Sequence, residues 1–336
     1  MSAETSKWLN QNTLIGYTSK RGTAWHYRAS DQGDEPNHYE TAVPVEDVVR
    51  RLFHWKATEL PLIIPVPGPS GVTYKTVPDR KVIARDDTYD VLGVFKDGYS
   101  MHQYEEWLVN SVSTILDDDL RIGSAGLLKG GAIAWVSVEM EDNLTTRSGI
   151  EFRPHLLATT SFDGSISTTY KPVSTFVVCD NTRSAALAES STAFKVKHTK
   201  NSEMKLLSAR EALGVMERLG DNIMEQIEAL DAIKVSDATW ERFLRELVKD
   251  EAPTDTGKKR AENTRNQLRN LYRHDDRVAP WAGTAFGVSQ AVNTWRQHVR
   301  PTRKIGAAER NMLDLVTGRT GTADAKVLDI LAAVSV

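Results

Sequence analysis

The sequence predicts an α+β fold, in which a central antiparallel sheet with a β-β-β-α unit is followed by a mostly helical C-terminal region. Residues 132–179 contain three β-type apolar runs in succession. Asp163-Gly164, between the second and third runs, is a strong hairpin signal because a type I′ turn needs positive φ values. From Asn201 onward, apolar residues recur every three or four positions, as in amphipathic helices.

Short elements are expected in the N-terminal part of the chain. A helix should begin just after Pro44, since acidic residues occupy its first turn and apolar residues follow at helical spacing. The stretch 61–71 is rich in proline and glycine, which indicates an ordered loop or an edge segment. Residues 81–84 and 91–95 are short runs of the β type.

The central part contains the strands of the predicted sheet. Its apolar patterns predict, in chain order, a helix over 104–116, strands over 132–140, 150–161 and 166–179, and a helix over about 182–189. Asp180 or Asn181 could cap the last helix, because both side chains accept hydrogen bonds from the first helical N–H groups.

The C-terminal part is predicted to be helical almost throughout. One amphipathic segment covers 238–248, and after a linker at 251–257 three or four more helices are expected. The change of pattern near residue 200 predicts two domains, an α+β domain over 1–200 and a helical region over 201–336.

Composition limits the class of protein. The chain has 336 residues, of which 42 are Lys or Arg and 45 are Asp or Glu, so its net charge is −3. An apolar content of 40% excludes global disorder, and a single cysteine excludes a disulfide framework. Neither a signal-peptide core nor a long apolar stretch is present, so we expect a soluble cytoplasmic protein without a membrane partner.

The patterns typical of enzymes are largely missing. Gly126 and Gly131 have the spacing of a phosphate-binding loop, but the Lys and Ser/Thr that should follow are absent. The eight histidines form no close pair on a helix face, so no metal or cofactor is expected. Cys179 and His198 could form a nucleophile–base pair of a hydrolase, although Cys179 ends an apolar strand and suits a core thiol. The expectation is a protein that is not an enzyme.

Positive charge is concentrated near the C-terminus. Residues 257–304 contain eleven basic and three acidic residues, a local charge of +8, which leaves −11 for the rest of the chain. Arg265, Arg269 and Arg273 are four residues apart and therefore line one side of a helix. This arginine stripe could bind phosphates, or it could be a solvated face or a contact with the acidic remainder of an oligomer.

A second basic set surrounds the predicted sheet and consists of Lys129, Arg153, Lys171, Lys195, Lys197 and Lys200. Lys195 and Lys197 would lie on the same side of an extended segment, because side chains alternate along a strand. Aromatic residues near these positions could stack on bases or belong to the core.

Several short motifs occur in order along the chain, at residues 23–26 (TAWH), 126–131 (GLLKGG), 160–165 (TSFDGS), 177–182 (VVCDNT), 196–200 (VKHTK) and 283–292 (GTAFGVSQAV). With these motifs the chain resembles the phage- and plasmid-like proteins of domain-of-unknown-function family 932. The resemblance implies a mobile genetic element in a bacterial host cell. It implies no activity, since the family is named for lacking one.

The order β-β-β-α is similar to the core of phage single-strand annealing proteins of the RecT and Red-beta type. Proteins of that type form rings or filaments and hold single-stranded DNA in a basic groove. Our first hypothesis is therefore a homo-oligomeric, non-enzymatic protein that binds single-stranded DNA and anneals complementary strands. The second basic set would contact the DNA backbone, and the arginine stripe would supply a second strand site or a subunit contact. The alternative is a phage factor that binds and modulates a host protein.

Overall fold

The computed structural model describes residues 3–24, 27–113, 120–140, 142–176, 181–184, 194–199, 219–249, 254–301 and 307–335. Two antiparallel sheets occupy the first part of this chain, and helices occupy the C-terminal part. This arrangement confirms the predicted α+β class.

The larger sheet has eight strands, β1 (Thr13–Ile15), β5 (Leu120–Leu128), β6 (Ile133–Met140), β7 (Leu144–Thr145), β8 (Glu151–Ser161), β9 (Thr168–Phe176), β10 (Asn181–Ser184) and β11 (Phe194–Val196). Their order is β1-β5-β6-β8-β9-β10, with β7 paired to β8 and β11 paired to β9. Strands β6, β8 and β9 confirm the three predicted central strands. Because β6 is buried on both faces from Ile133 to Glu139, its sequence is a nearly continuous apolar run.

The hairpin predicted at Asp163-Gly164 is confirmed, because the consecutive strands β8 and β9 pair antiparallel. Two other local predictions in this sheet, the type I′ turn of that hairpin and the helix that follows the third central strand, are wrong. The connection between β8 and β9 is a six-residue loop, in which Gly164 has a φ of 72° but Asp163 does not have a positive φ. Asp163 instead accepts a hydrogen bond from the backbone N–H of Ser165 at 2.9 Å, so its side chain closes the turn. The helix expected from residue 182 is also incorrect over 182–184, since these residues pair with β9 as strand β10.

The smaller sheet has three strands in the order β2-β3-β4. They are β2 (Ala57–Gly68), β3 (Gly71–Arg85) and β4 (Val91–Lys96). The proline-rich stretch 61–71 therefore lies in an edge strand and its hairpin turn, which agrees with the interpretation as an edge segment. Proline is tolerated at an edge because its missing N–H can face away from the neighbouring strand.

The longer helices are α1 (Ala3–Asn12), α2 (Thr18–Arg21), α3 (Val45–Leu52), a first π-helix (Glu105–Asn110), α4 (Leu219–Ala232), α5 (Asp237–Leu247), α6 (Asp255–His274), α7 (Ala285–Thr294), a second π-helix (Trp295–Val299), α8 (Ala307–Val316) and α9 (Arg319–Ser335). Helix α3 begins directly after Pro44, as predicted. None of the helices in the described ranges is long and apolar enough to cross a membrane.

Helix α7 lies at the centre of the helical region, and all ten of its residues are buried. Its start is capped by Thr284, whose hydroxyl accepts a hydrogen bond from the N–H of Gly287 at 3.0 Å. On one side α7 packs within the helical core, and on the other Phe286 joins a cluster with Phe152 of β8 and Ile227 of α4. The helices are thus packed against the larger sheet, and the domain boundary near 200 stays a prediction.

Candidate functional site

Two lysines of the second basic set lie at the same end of the larger sheet. Lys129 follows β5 in the turn to β6, and Lys197 follows β11, whose last residue pairs with the first residue of β9. Four inter-strand steps separate β5 from β11 in the sheet, a distance of about 19 Å at the usual spacing. Lys197 is exposed, and the Lys129 ammonium lies 3.0 Å from a carboxylate oxygen of Asp163. We call this region the basic end of the sheet.

Lys195 lies on β11 opposite Thr169 and is exposed at the edge of the sheet. Lys171 of β9 is close enough to interact with it electrostatically, but Lys171 is buried and donates a hydrogen bond to the backbone oxygen of Leu315. Burial, with a smaller effect from the charge of Lys195, lowers the pKa of Lys171 to about 8. Only Lys195 of this pair presents its charge to solvent.

Arg153 is buried on β8 and donates hydrogen bonds to the side-chain oxygen of Asn143 at 2.9 and 3.2 Å. A phosphate could reach neither Arg153 nor Lys171 in this conformation, so a backbone contact by either would require the covering segments to move. Lys200 and Cys179 lie outside the described residues. For the part of the second set that the structure describes, Lys195 and Lys197 are the best placed to meet DNA.

The arginine stripe lies on α6, where its members are paired with acidic residues of the same chain. Arg265 is buried and donates to Glu262 at 3.0 Å, while Arg269 donates to Glu262 at 2.7 Å. Arg269 also donates to Glu241 of α5 at 2.8 Å, and this hydrogen bond holds the pKa of Glu241 below its ordinary value.

Arg273 lies 3.6 Å from Asp237, at the start of α5, and both side chains are largely exposed. The stripe is therefore paired with acidic residues of α5 and of α6 itself. A contact with acidic residues is the alternative to phosphate binding given above, although it was expected between subunits and is found within one chain. A phosphate would have to displace these carboxylates, and DNA binding by Arg265, Arg269 and Arg273 stays a prediction.

Five rings form a stacked column beside the basic end of the sheet. Their centroids are 3.9 Å apart for Phe95 and Tyr99, 5.1 Å for Tyr99 and His198, 4.0 Å for His198 and His102, and 3.6 Å for His102 and Trp107. The outermost ring, Phe95, is only partly buried and lies against Gly164 in the same loop as Asp163. Phe95, Tyr99, His102 and Trp107 lie in one segment, but His198 comes from a distant part of the chain and stacks between Tyr99 and His102, so no local spacing indicates the column.

The two histidines of the column are held in their uncharged form. His102 Nδ1 lies 2.6 Å from the Thr168 hydroxyl, and His198 Nε2 lies 3.1 Å from the Thr160 hydroxyl. Burial lowers the pKa of His102 to about 3, with a smaller contribution from His198, and burial lowers the pKa of His198 to about 4. Near neutral pH both rings are therefore uncharged, and they are weak bases.

A buried ion pair lies on another part of the sheet. A guanidinium nitrogen of Arg21 is 2.7 Å from a carboxylate oxygen of Glu139, and a side chain on Gly123 would overlap Glu139. His155 is paired opposite Glu139 on β8, and burial lowers its pKa. The charge of Glu139 is thus neutralised within the fold, which favours a structural role.

Among the described residues, no group of three or more His, Cys, Asp or Glu side chains is positioned to hold a metal ion. A pocket of 280 Å³ lies between α3, the start of β2 and the first π-helix, and its lining includes Trp55, Lys56 and Glu105. The pocket is lined by both polar and apolar side chains, and none of the five rings of the column is among them.

Comparison with known protein families identifies a match over most of the chain. The model of a family described as "Domain of unknown function (DUF932)" matches residues 91–316. This range contains the larger part of the main sheet, the ring column, the basic end of the sheet and helices α4 to α8. No curated protein and no solved structure matches the chain.

Proposed function

The chain belongs to the DUF932 family, whose name assigns no activity, and we propose that it is a non-enzymatic protein that binds single-stranded DNA. The proposal includes strand annealing in the recombination of a phage or plasmid, as a homo-oligomer in a bacterial host. The observation that supports it best is the basic end of the sheet, where Lys129 and Lys197 lie near a column of aromatic rings.

The arrangement suits a single strand better than a duplex. Single-stranded DNA is typically held by cations that follow the backbone and by aromatic rings on which successive bases stack. Lys195 and Lys197 are exposed at the sheet edge, and Phe95 ends the ring column at the surface. A base stacked on Phe95 would extend the column by one ring. Lys195 pairs with Thr169 and therefore lies on the opposite face of the sheet from Thr168 and His102, so the strand would pass around the sheet edge for its phosphates to reach that lysine. Annealing requires no acid, base or metal, since base pairing itself supplies the free energy.

We expect the triple change Lys195→Ala, Lys197→Ala and Lys200→Ala to weaken binding to a labelled single-stranded oligonucleotide. Each phosphate contact to a single strand contributes about 0.7 to the slope of log affinity against log salt, so the slope should fall by about 2. Fluorescence anisotropy, titrated from low to physiological salt, measures both quantities.

The matched control is Lys258→Ala, Lys259→Ala and Arg260→Ala. It removes the same charge from three exposed positions at the start of α6. This control should leave the slope nearly unchanged. Equal losses in the two triple variants would mean that only net charge matters, and an unchanged slope in the first would refute this site. If the wild-type protein does not bind even at low salt, the proposed function is wrong.

The stacking role of Phe95 is tested separately. Phe95→Leu keeps an apolar side chain but removes the aromatic face, so it should weaken binding by about 5- to 150-fold, the range for one stacked base. Phe95→Tyr keeps the ring and should bind like the wild type. If leucine and tyrosine variants bind equally well, no base stacks on this ring.

A further inference from the structure

Strands β2 and β3 extend beyond the smaller sheet as a two-stranded arm, residues 62–76. Strand β4 pairs with β3 only over residues 80–84, so none of the strands in the described ranges pairs with the arm as a third strand. The arm begins at an irregularity in the pairing, where Pro61 pairs with Lys81 but Ile63 pairs with Thr76. A two-stranded ribbon is marginally stable in water unless a third strand or another surface covers it.

One face of the arm is apolar and exposed. Residues paired across two antiparallel strands share a face, so the residues of this face are Ile63, Pro65, Pro67, Val72, Tyr74 and Thr76. The exposed fractions are 49% for Ile63, 58% for Val72 and 75% for Tyr74, so no described segment of the chain covers this face. An exposed apolar surface of this kind marks an interaction site.

The two edges of the arm differ in their hydrogen-bonding capacity. Proline has no N–H, so Pro65 and Pro67 occupy positions of β2 that do not bond to β3. The outer edge of β2 therefore lacks donors at these positions and cannot accept another strand. The partners of Pro65 and Pro67 are Tyr74 and Val72, which accordingly direct both N–H and C=O away from β2. Thr76 lies two residues after Tyr74 on β3, so it also directs its N–H and C=O away from β2.

The open edge of β3 is complementary to itself. If two copies pair antiparallel about Tyr74, Tyr74 faces Tyr74 and Val72 faces Thr76, which gives three bonded pairs and about six hydrogen bonds. Lys75 is the one charge in the segment 71–77, and in this register it faces Thr73. If the two-fold axis lay at Lys75 instead, the Lys75 side chains of the two copies would face each other and their like charges would repel. If the axis lay at Thr73, only two hydrogen-bonded pairs would form.

We propose that the arm is a dimerisation element, in which β3 pairs with β3 of a second copy of this chain about a two-fold axis at Tyr74. The pairing joins two ribbons into a four-stranded sheet with one continuous apolar face. Since the β2 edge is blocked by prolines, the contact closes at two copies and does not propagate into a filament. The proposal is independent of DNA binding.

Tyr74→Pro tests the pairing without disturbing the arm, because the N–H that it removes points away from β2. In mass photometry and sedimentation velocity we expect the wild type to form dimers whose fraction rises with concentration, and Tyr74→Pro to be monomeric. If other contacts build larger multimers, this variant should halve their size. Tyr74→Val keeps the N–H and serves as the matched control that still dimerises. Circular dichroism checks that both variants are folded.

A cross-linking experiment gives a second, independent result. In the proposed register the two Tyr74 Cα atoms are about 5.5 Å apart, which a disulfide can span. Tyr74→Cys should therefore form a covalent dimer under mild oxidation, whereas Lys75→Cys, which faces Thr73, should not. A monomeric wild type, a Tyr74→Pro variant that still dimerises, or equal cross-linking at both positions would overturn the proposal.

Discussion

Replacing Gly287 by alanine is expected to lower the free energy of unfolding by about 3 kcal/mol, the upper part of the range for an overpacked core. Gly287 lies in the first turn of the wholly buried helix α7. A Cβ at this position would overlap the backbone oxygen of Trp281, which cannot move away as the end of a flexible side chain could. Urea unfolding, followed by circular dichroism, measures the loss.

Gly33→Ala is the matched control for this substitution. A Cβ at Gly33 meets no atom within 4 Å, and the residue does not have a positive φ. Its free energy of unfolding should change by no more than about 0.5 kcal/mol. If Gly287→Ala is as stable as Gly33→Ala, the close contact between α7 and the turn before it is wrong.

The neutral histidines of the ring column should make the protein less stable in mild acid. Their pKa values lie near 3 and 4 in the fold but near 6.5 in an unfolded chain. Between these values the unfolded chain binds more protons, so stability is complete above about pH 6.5 and decreases as the pH falls. From about pH 7.5 to pH 5, His198 alone should contribute a loss of about 2 kcal/mol.

His198→Gln should reduce this pH dependence, since glutamine can keep a hydrogen bond to Thr160 but does not titrate. The variant should be somewhat less stable than the wild type near neutral pH and should lose less stability on acidification, as measured by urea unfolding at each pH. His274→Gln, at an exposed histidine in the last turn of α6, is the control and should behave like the wild type. An unchanged pH dependence in His198→Gln would contradict the burial of a neutral ring.

Much of the fold could be predicted from local patterns. The runs that form β6 and β8 are apolar and β-branched, and the first turn of α3 has the acidic residues that a helix start favours. The proline-rich arm was ambiguous because proline excludes a central strand but not an edge. The turn at Asp163 was misjudged because the side chain, and not a type I′ backbone, closes it.

The candidate site was less predictable than the fold. The arginine stripe has a helical spacing that suits phosphates, but that spacing is equally suited to carboxylates on α5. Lys171 and Lys195 have the same charge in the sequence, and only the packing of α8 over β9 buries one and leaves the other exposed. Spacing indicates which residues share a face, while it contains no information about what covers that face.

The α+β class, the central strands and the start of α3 follow from local sequence patterns, because each depends on neighbours within a few residues. Which cations remain exposed, the stacking of His102 and His198 between Tyr99 and Trp107, and the open edge of β3 depend on contacts between distant segments. Those properties arise where distant segments meet, and burial there sets both the charge of a histidine and the availability of a lysine.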